Sequence, residues 1–188
     1  MRMSREAKAR HHEEIVQAAA KLLRKNGIGG TSVSDLMQAA GLTHGGFYRH
    51  FDSKTALVAE ASQEAFDQFV SGLDVRTSKA GTAKAVSEYI DRYLSQEHVN
   101  KPGRGCPLAT LGIEAGREDK SVRSVFAANT DRLFAAVGRG LSGKDTEKRE
   151  KAIRLVASMV GAVILARAVG NRALADEILE ACRSSKDR

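Results

Sequence analysis

The chain has 188 residues and a formal charge of +7, from 30 Lys and Arg against 23 Asp and Glu, with 42% hydrophobic and 28% charged residues. That length holds one domain or two small helical units, and the balance is that of a globular protein with a buried core. Two prolines exclude a Pro-rich or collagen-like chain; two cysteines cannot build a disulfide framework or fill a zinc site alone, and five histidines show no finger-type spacing.

The N-terminal residues lack the apolar core of a signal peptide. The longest apolar run, Leu155 to Ala166, is too short to span a bilayer, so the expectation is a cytoplasmic chain with no membrane partner and no cofactor or metal. Residues 1–54 hold nine Lys and Arg, five Asp and Glu and four of the five histidines. The positive charge is densest there, so an anionic partner is sought there first.

Helical periodicity dominates in chain order, and no stretch alternates long enough to argue a sheet. The first helix is expected from about Arg5 to Asn26, with Ile15, Ala18, Ala19, Leu22 and Leu23 facing the core and Gly27 as its C-terminal cap. Ser32 with Asp35 forms a capping-box pattern that opens a short second helix, which stops at Gly41. A third short helix is expected from His44 to His50 with Thr43 as cap. A fourth, capped by Asp52 or Ser53, runs to about Ser71.

Further helices are expected over Thr82–His98, from Pro107 to about Arg117, from Lys120 to Val137, over Thr146–Val169 and over Ala173–Arg183 with Asn171 as cap. The segment from Lys101 to Pro107 is the clearest loop, and Pro107 suits a first helical turn.

Residues 31–51 thus place two short helices around a glycine turn, a helix-turn-helix pattern whose second helix can enter a DNA major groove. The wider pattern is Ile15, Ala18-Ala19, Leu22-Leu23, Gly27, Thr31-Ser32-Val33, Ala40-Gly41-Leu42-Thr43, Gly45, Phe47-Tyr48, His50-Phe51, Lys54 and Leu57. With it, residues 11–57 resemble the DNA-binding domain of the tetracycline-repressor (TetR) family of bacterial transcriptional regulators. The stretch from Gly105 to Ala109 and that from Gly161 to Ala168 are similar to one branch of that family.

The resemblance implies an all-α fold, with a helix-turn-helix domain over residues 1–52 and a helical effector-binding and dimerisation domain over 53–188. It implies base reading by Thr43, His44, Gly45 and Gly46, with Tyr48, His50 and Lys54 on the phosphate backbone. Ser32 and Arg49 belong to the same DNA-facing set, although relatives often carry an aromatic residue where Arg49 stands. Their chemistry agrees: hydroxyl, imidazole and ammonium groups bond phosphate oxygens, and paired glycines admit close backbone approach. Phe47 and Phe51 are assigned to the core, and His11 and His12 to a solvated face. The basic residues Arg2, Arg5, Lys8 and Arg10 either reach DNA or dangle in solvent.

The helix around Leu155–Leu165 is apolar nearly all round and must be buried, in a core or against another subunit. The resemblance implies a homodimer through the last two helices, a palindromic duplex operator and a small-molecule effector. Tyr89, Tyr93, Cys106, Leu111, Glu114 and Phe126 are the candidate effector pocket. Cys182 is read as packing with Leu174 and Ile178. An alternative gives Cys106, with Lys101 and Arg104 nearby, a role in sensing oxidants or electrophiles. An enzyme is disfavoured, because no catalytic grouping stands at usable spacing and Glu114 and Glu118 are an i, i+4 pair explained by Arg117 and solvent. A helical interaction module without DNA affinity leaves Tyr48, Lys54 and the basic surplus unexplained.

Overall fold

In a computed structural model of the chain, residues 5–77 and 82–184 are described, and among them helices are the only regular structure. Helix α1 spans Arg5–Asn26 and buries Ile15, Ala19, Ala20 and Leu23, one stripe of a 3.6-residue period. It ends where Gly27 takes φ +83° and donates its N–H to the Leu23 carbonyl at 2.7 Å, as expected of a glycine cap.

Helix α2 (Val33–Ala39) has the expected capping box: the Ser32 side chain accepts from the Asp35 amide, and the Asp35 carboxylate accepts from the Ser32 amide. Gly41, at φ +72°, makes the turn. The third element is a 3-10 helix, His44–Arg49, and the Thr43 side chain caps nothing. Two consecutive glycines weaken α-helical geometry there, and bonds from Gly46 to Thr43 and from His50 to Phe47 hold the tighter turn instead.

Helix α3 (Lys54–Thr77) starts at Ser53, whose hydroxyl accepts from the Ala56 amide, and runs past the expected end at Ser71. It crosses the molecule with α1 on one side and α7 on the other, burying Leu57, Val58, Ala61, Ala65, Phe66, Val70 and Leu73. The single helix expected over Thr82–His98 is two: α4 (Thr82–Tyr93) and α5 (Gln96–Asn100). Ser95 divides them, since its hydroxyl donates to the Arg92 carbonyl and accepts from the His98 amide, closing one helix and capping the next. The loop that follows contains a 3-10 turn, Pro102–Arg104.

Helix α6 (Pro107–Ala115) begins with proline, as expected. Helix α7 (Lys120–Gly138) buries Val122, Phe126, Leu133 and Val137, with Phe126 edge-on to Phe66 at 5.1 Å. Helix α8 (Asp145–Ala168) packs Val156, Met159 and Val163 inward, and α9 (Arg172–Ser184) adds Ala175 and Leu179, with the Asn171 side chain capping at Leu174. Within one chain α8 is not buried all round. Ile153 and Leu165 stand 39% and 55% exposed, and Leu155, Val160 and Ile164 are half-buried. No helix of the described residues is long and apolar enough to cross a membrane.

Candidate nucleic-acid interface

The 3-10 helix turns Phe47 inward and its other side chains outward, and Phe51 is buried two residues past its end. Phe47 and Phe51 are 1% and 3% exposed, with ring centroids 5.7 Å apart, and fix the element against the core. Thr43, His44, Gly45, Tyr48 and Arg49 are exposed, while Gly46 and His50 are half-buried. Tyr48 stands 74% exposed, its ring edge resting on Phe47. A large aromatic side chain held out this far has reach for a phosphate oxygen.

Two of the sequence-derived DNA residues are engaged inside the molecule. Ser32 serves the capping box, and its hydroxyl also donates to Asp35 at 2.6 Å, which holds the Asp35 carboxyl below its ordinary range. The Lys54 ammonium donates to the Ile28 carbonyl at 2.8 Å, binding the start of α3 to the turn between α1 and α2. An ammonium has three donors, so this bond leaves others for an anion.

The histidines of α1 do not lie on a solvated face. His12 is half-buried, bonds Glu60 of α3 at 2.7 Å and stacks on Phe51 with ring centroids 4.5 Å apart. His11 and His12 both flank His50, at 6.5 and 6.2 Å. The His50 pKa is lowered by its burial and by the neighbouring His12, Lys8, His11 and Arg49. The apolar-period pattern gives no sign of this, because His12 meets partners 38, 39 and 48 residues away. Arg5 and Lys8 lie on α1 beside this cluster, and Arg2 lies outside the described residues.

The six candidate pocket residues do not converge. Tyr89 and Tyr93 line a cavity of about 310 Å³ with Phe69 and His98. Phe126 borders a different, open depression on α7, and Leu111 is 1% exposed in the core. Glu114 points the other way: Oε2 accepts from the Ile28 amide at 3.1 Å and Oε1 from the Gly29 amide at 2.8 Å. Its carboxylate joins α6 to the α1–α2 turn, so solvent and Arg117 are not what explain it.

Cys106 is 0% exposed, and burial pushes its thiol pKa up, so the thiolate needed for a redox sensor is suppressed. Cationic neighbours in sequence do not offset the loss of solvent. The electrophile-sensing alternative is therefore not favoured, and Cys106 is a small core residue at the start of α6.

Three polar residues invisible to pattern reading hold this region. His98 accepts from the Cys106 amide at Nε2 (2.9 Å) and sits 2.7 Å from the Tyr93 carbonyl at Nδ1; the pair of contacts assigns the neutral Nδ1–H tautomer. Burial lowers its pKa to about 4. Arg167 donates to the carbonyls of His98, Val99 and Ala109, tying α8 to α5 and α6. Arg24 donates to Ala20, Ala65 and Gly105 carbonyls and to Gln68 at 2.6 Å. Burial lowers its pKa to about 10, which leaves it charged near neutral pH.

Comparison with known proteins follows the same geometry. The family model for bacterial regulatory proteins, tetR family, matches residues 15–61, from α1 into the first turns of α3. An uncharacterized HTH-type transcriptional regulator of Mycobacterium tuberculosis is 28% identical over 164 residues, 82% of this chain and 83% of the relative. The HTH-type transcriptional repressor KstR2 of Rhodococcus jostii is 33% identical over 92 residues, 45% of each chain. Among solved structures, the transcriptional regulator of the TetR family from Cytophaga hutchinsonii has the same fold at a TM-score of 0.77, with 24% identity across 100% of this chain and 97% of that one.

Proposed function

Since this chain belongs to the tetR family of bacterial transcriptional regulators, we propose that it acts as a homodimeric repressor that a small molecule releases from a palindromic operator. It is a DNA-binding regulator and not an enzyme. Residues 1–52 are the DNA-reading part and 53–188 the sensing and pairing part. Thr43 to Gly46 face base edges, while Tyr48, Arg49, His50 and Lys54 hold phosphates. Ser32 contributes through its place at the start of α2.

One observation carries the DNA assignment: Phe47 and Phe51 lock a short helix whose Thr43, His44, Tyr48 and Arg49 are exposed together beside a basic α1. A major groove about 12 Å wide accepts one such helix. The exposed apolar residues Ile153, Leu165 and Leu174 on α8 and α9 support pairing of two chains there.

Release follows from how α3 is held. Phe69 of α3 lines the cavity, and Lys54, fifteen residues earlier on the same helix, grips the α1–α2 turn. At 1.5 Å per residue the two lie roughly 22 Å apart along one rigid rod. An effector that favours a different setting of Phe69 moves the Lys54 end and alters the separation of the two recognition helices.

Selection of bound duplexes from a random pool, followed by footprinting, tests the proposal. The expected product is a palindrome whose half-sites lie about 34 Å or a multiple apart, bound by two chains and losing affinity by orders of magnitude between 50 and 200 mM salt. A monomer that enriches no sequence overturns it.

A further inference from the structure

We propose that the effector is a small organic carboxylate with an aromatic or similarly flat apolar body, bound in the cavity between α3, α4 and the loop before α6. This rests on the effector-released repressor described above and names the chemistry of its ligand.

The cavity interior is aromatic. Phe69, Tyr89 and Tyr93 stand in mutual contact, with ring centroids 5.7 to 6.1 Å apart, and the half-buried Phe69 faces the two tyrosines edge-on. A volume of about 310 Å³ is at the small end of ligand sites. The Tyr89 hydroxyl is buried with no hydrogen-bond partner, and that of Tyr93 has only the weakly polar Cys106 thiol beside it. Neither hydroxyl is open to a water molecule, so what the two tyrosines offer a ligand is the apolar surface of their rings.

The rim is cationic. Arg92, Lys101 and Arg104 stand there against one carboxylate, Glu97. Lys101 spends its charge on Glu97 at 2.9 Å. Among the described residues neither Arg92 nor Arg104 makes an ion pair; Arg92 lies over the Tyr89 ring at 5.9 Å. His98, on the same wall, is kept neutral by burial and adds no charge. The rim thus carries three cations against the single carboxylate of Glu97, which also feels the Arg104 charge and cannot neutralise all three. A guanidinium is a planar fork that fits a carboxylate with two hydrogen bonds, and it stacks on flat rings as well. An acid with an apolar body satisfies both halves of the site, whereas a neutral ligand leaves the arginines to solvent and a cation is repelled.

The test uses 1-naphthylacetate and its primary amide, 1-naphthylacetamide, titrated into the full chain by calorimetry. The two share a body and differ in charge. The expected result is at least tenfold tighter binding of the acid. The double variant Arg92→Gln, Arg104→Gln should bring the acid down to the affinity of the amide and leave the amide unchanged. Equal affinity for acid and amide, or an acid preference that survives the double variant, overturns the proposal. Binding of sodium acetate as tight as that of the naphthyl acid overturns it too, since the aromatic chamber would then contribute nothing.

A second arm adds the acid to the protein on its selected operator. Release at saturating acid supports the proposal together with the repressor reading. Preferential acid binding without release keeps the anion site and overturns its role as the effector site, a result distinct from failure of acid binding.

Discussion

Glu114 reaches across from α6 to accept the backbone amide of Gly29 at 2.8 Å, and its other oxygen takes the amide of Ile28. The carbonyl of Ile28 is held from the opposite direction by Lys54. The α1–α2 turn, which sets where the helix-turn-helix begins, is thus gripped by one acidic and one basic side chain from helices on either side. Gly27, just before it, holds φ +83°, and a Cβ there would meet Glu114 Oε2 at 2.8 Å and displace the carboxylate.

The first prediction follows from that grip. Glu114→Ala removes both acceptors and leaves two amides to water or to nothing, so it should cost about 1–3 kcal/mol in urea unfolding, with Glu114→Gln intermediate. A loss below the error of the measurement in both variants would show that the contact carries no stability.

Tyr48 and Lys54 separate by their surroundings. Tyr48→Ala touches an exposed side chain, so stability should stay within about 0.5 kcal/mol while operator affinity falls roughly five- to tenfold across sequences. Lys54→Met should both destabilise the fold, through the lost bond to Ile28, and lower the salt slope of DNA binding by about one. An unaltered slope in salt-titrated binding confines Lys54 to bracing the turn.

His98 gives a pH dependence with a definite sign. The unfolded chain takes up a proton at the ordinary value of 6.5, and the folded chain resists it down to about 4. Stability contributed by the neutral ring is complete above pH 6.5 and lost as pH falls from 6.5 to 4, on the order of 3 kcal/mol across the window. His98→Gln should be less stable at pH 7 and show a shallower decline over the same range. Parallel pH curves for the two proteins would refute the assignment.

Leu165 tests the pairing surface. It is 55% exposed on α8, and Leu165→Glu places a charge in the middle of an apolar face. Light scattering should show a monomer at micromolar concentration, and affinity for a full palindrome should drop to that of a half-site. A dimer of unchanged mass would relocate the interface.

What the sequence disclosed was local, and what it hid was remote. The Ser32–Asp35 capping box, the glycines at 27 and 41, Pro107 opening a helix and the burial of Phe47 and Phe51 all follow from neighbours a few residues apart, and each stands where it was expected. The split at Ser95 escaped because one serine inside an amphipathic run looks tolerable until its hydroxyl is seen to cap His98. The role of Glu114 is encoded by no spacing, because its partners lie 85 and 86 residues upstream. Cys106 had cations close in sequence, but the fold places the thiol away from water, and solvent access rather than proximity sets its reactivity.

Arg24 bears on how such a molecule can be recombined. Its guanidinium, 3% exposed, belongs by chain order to the first helix, yet it is solvated by carbonyls and an amide contributed as far along as Gly105. A chimera that grafts only the leading helices onto a foreign partner would strand a cation in a greasy interior. Interchange of front and back halves between relatives of this chain is therefore governed less by the visible joint at the start of α3 than by whether the recipient brings its own cradle for that single charge.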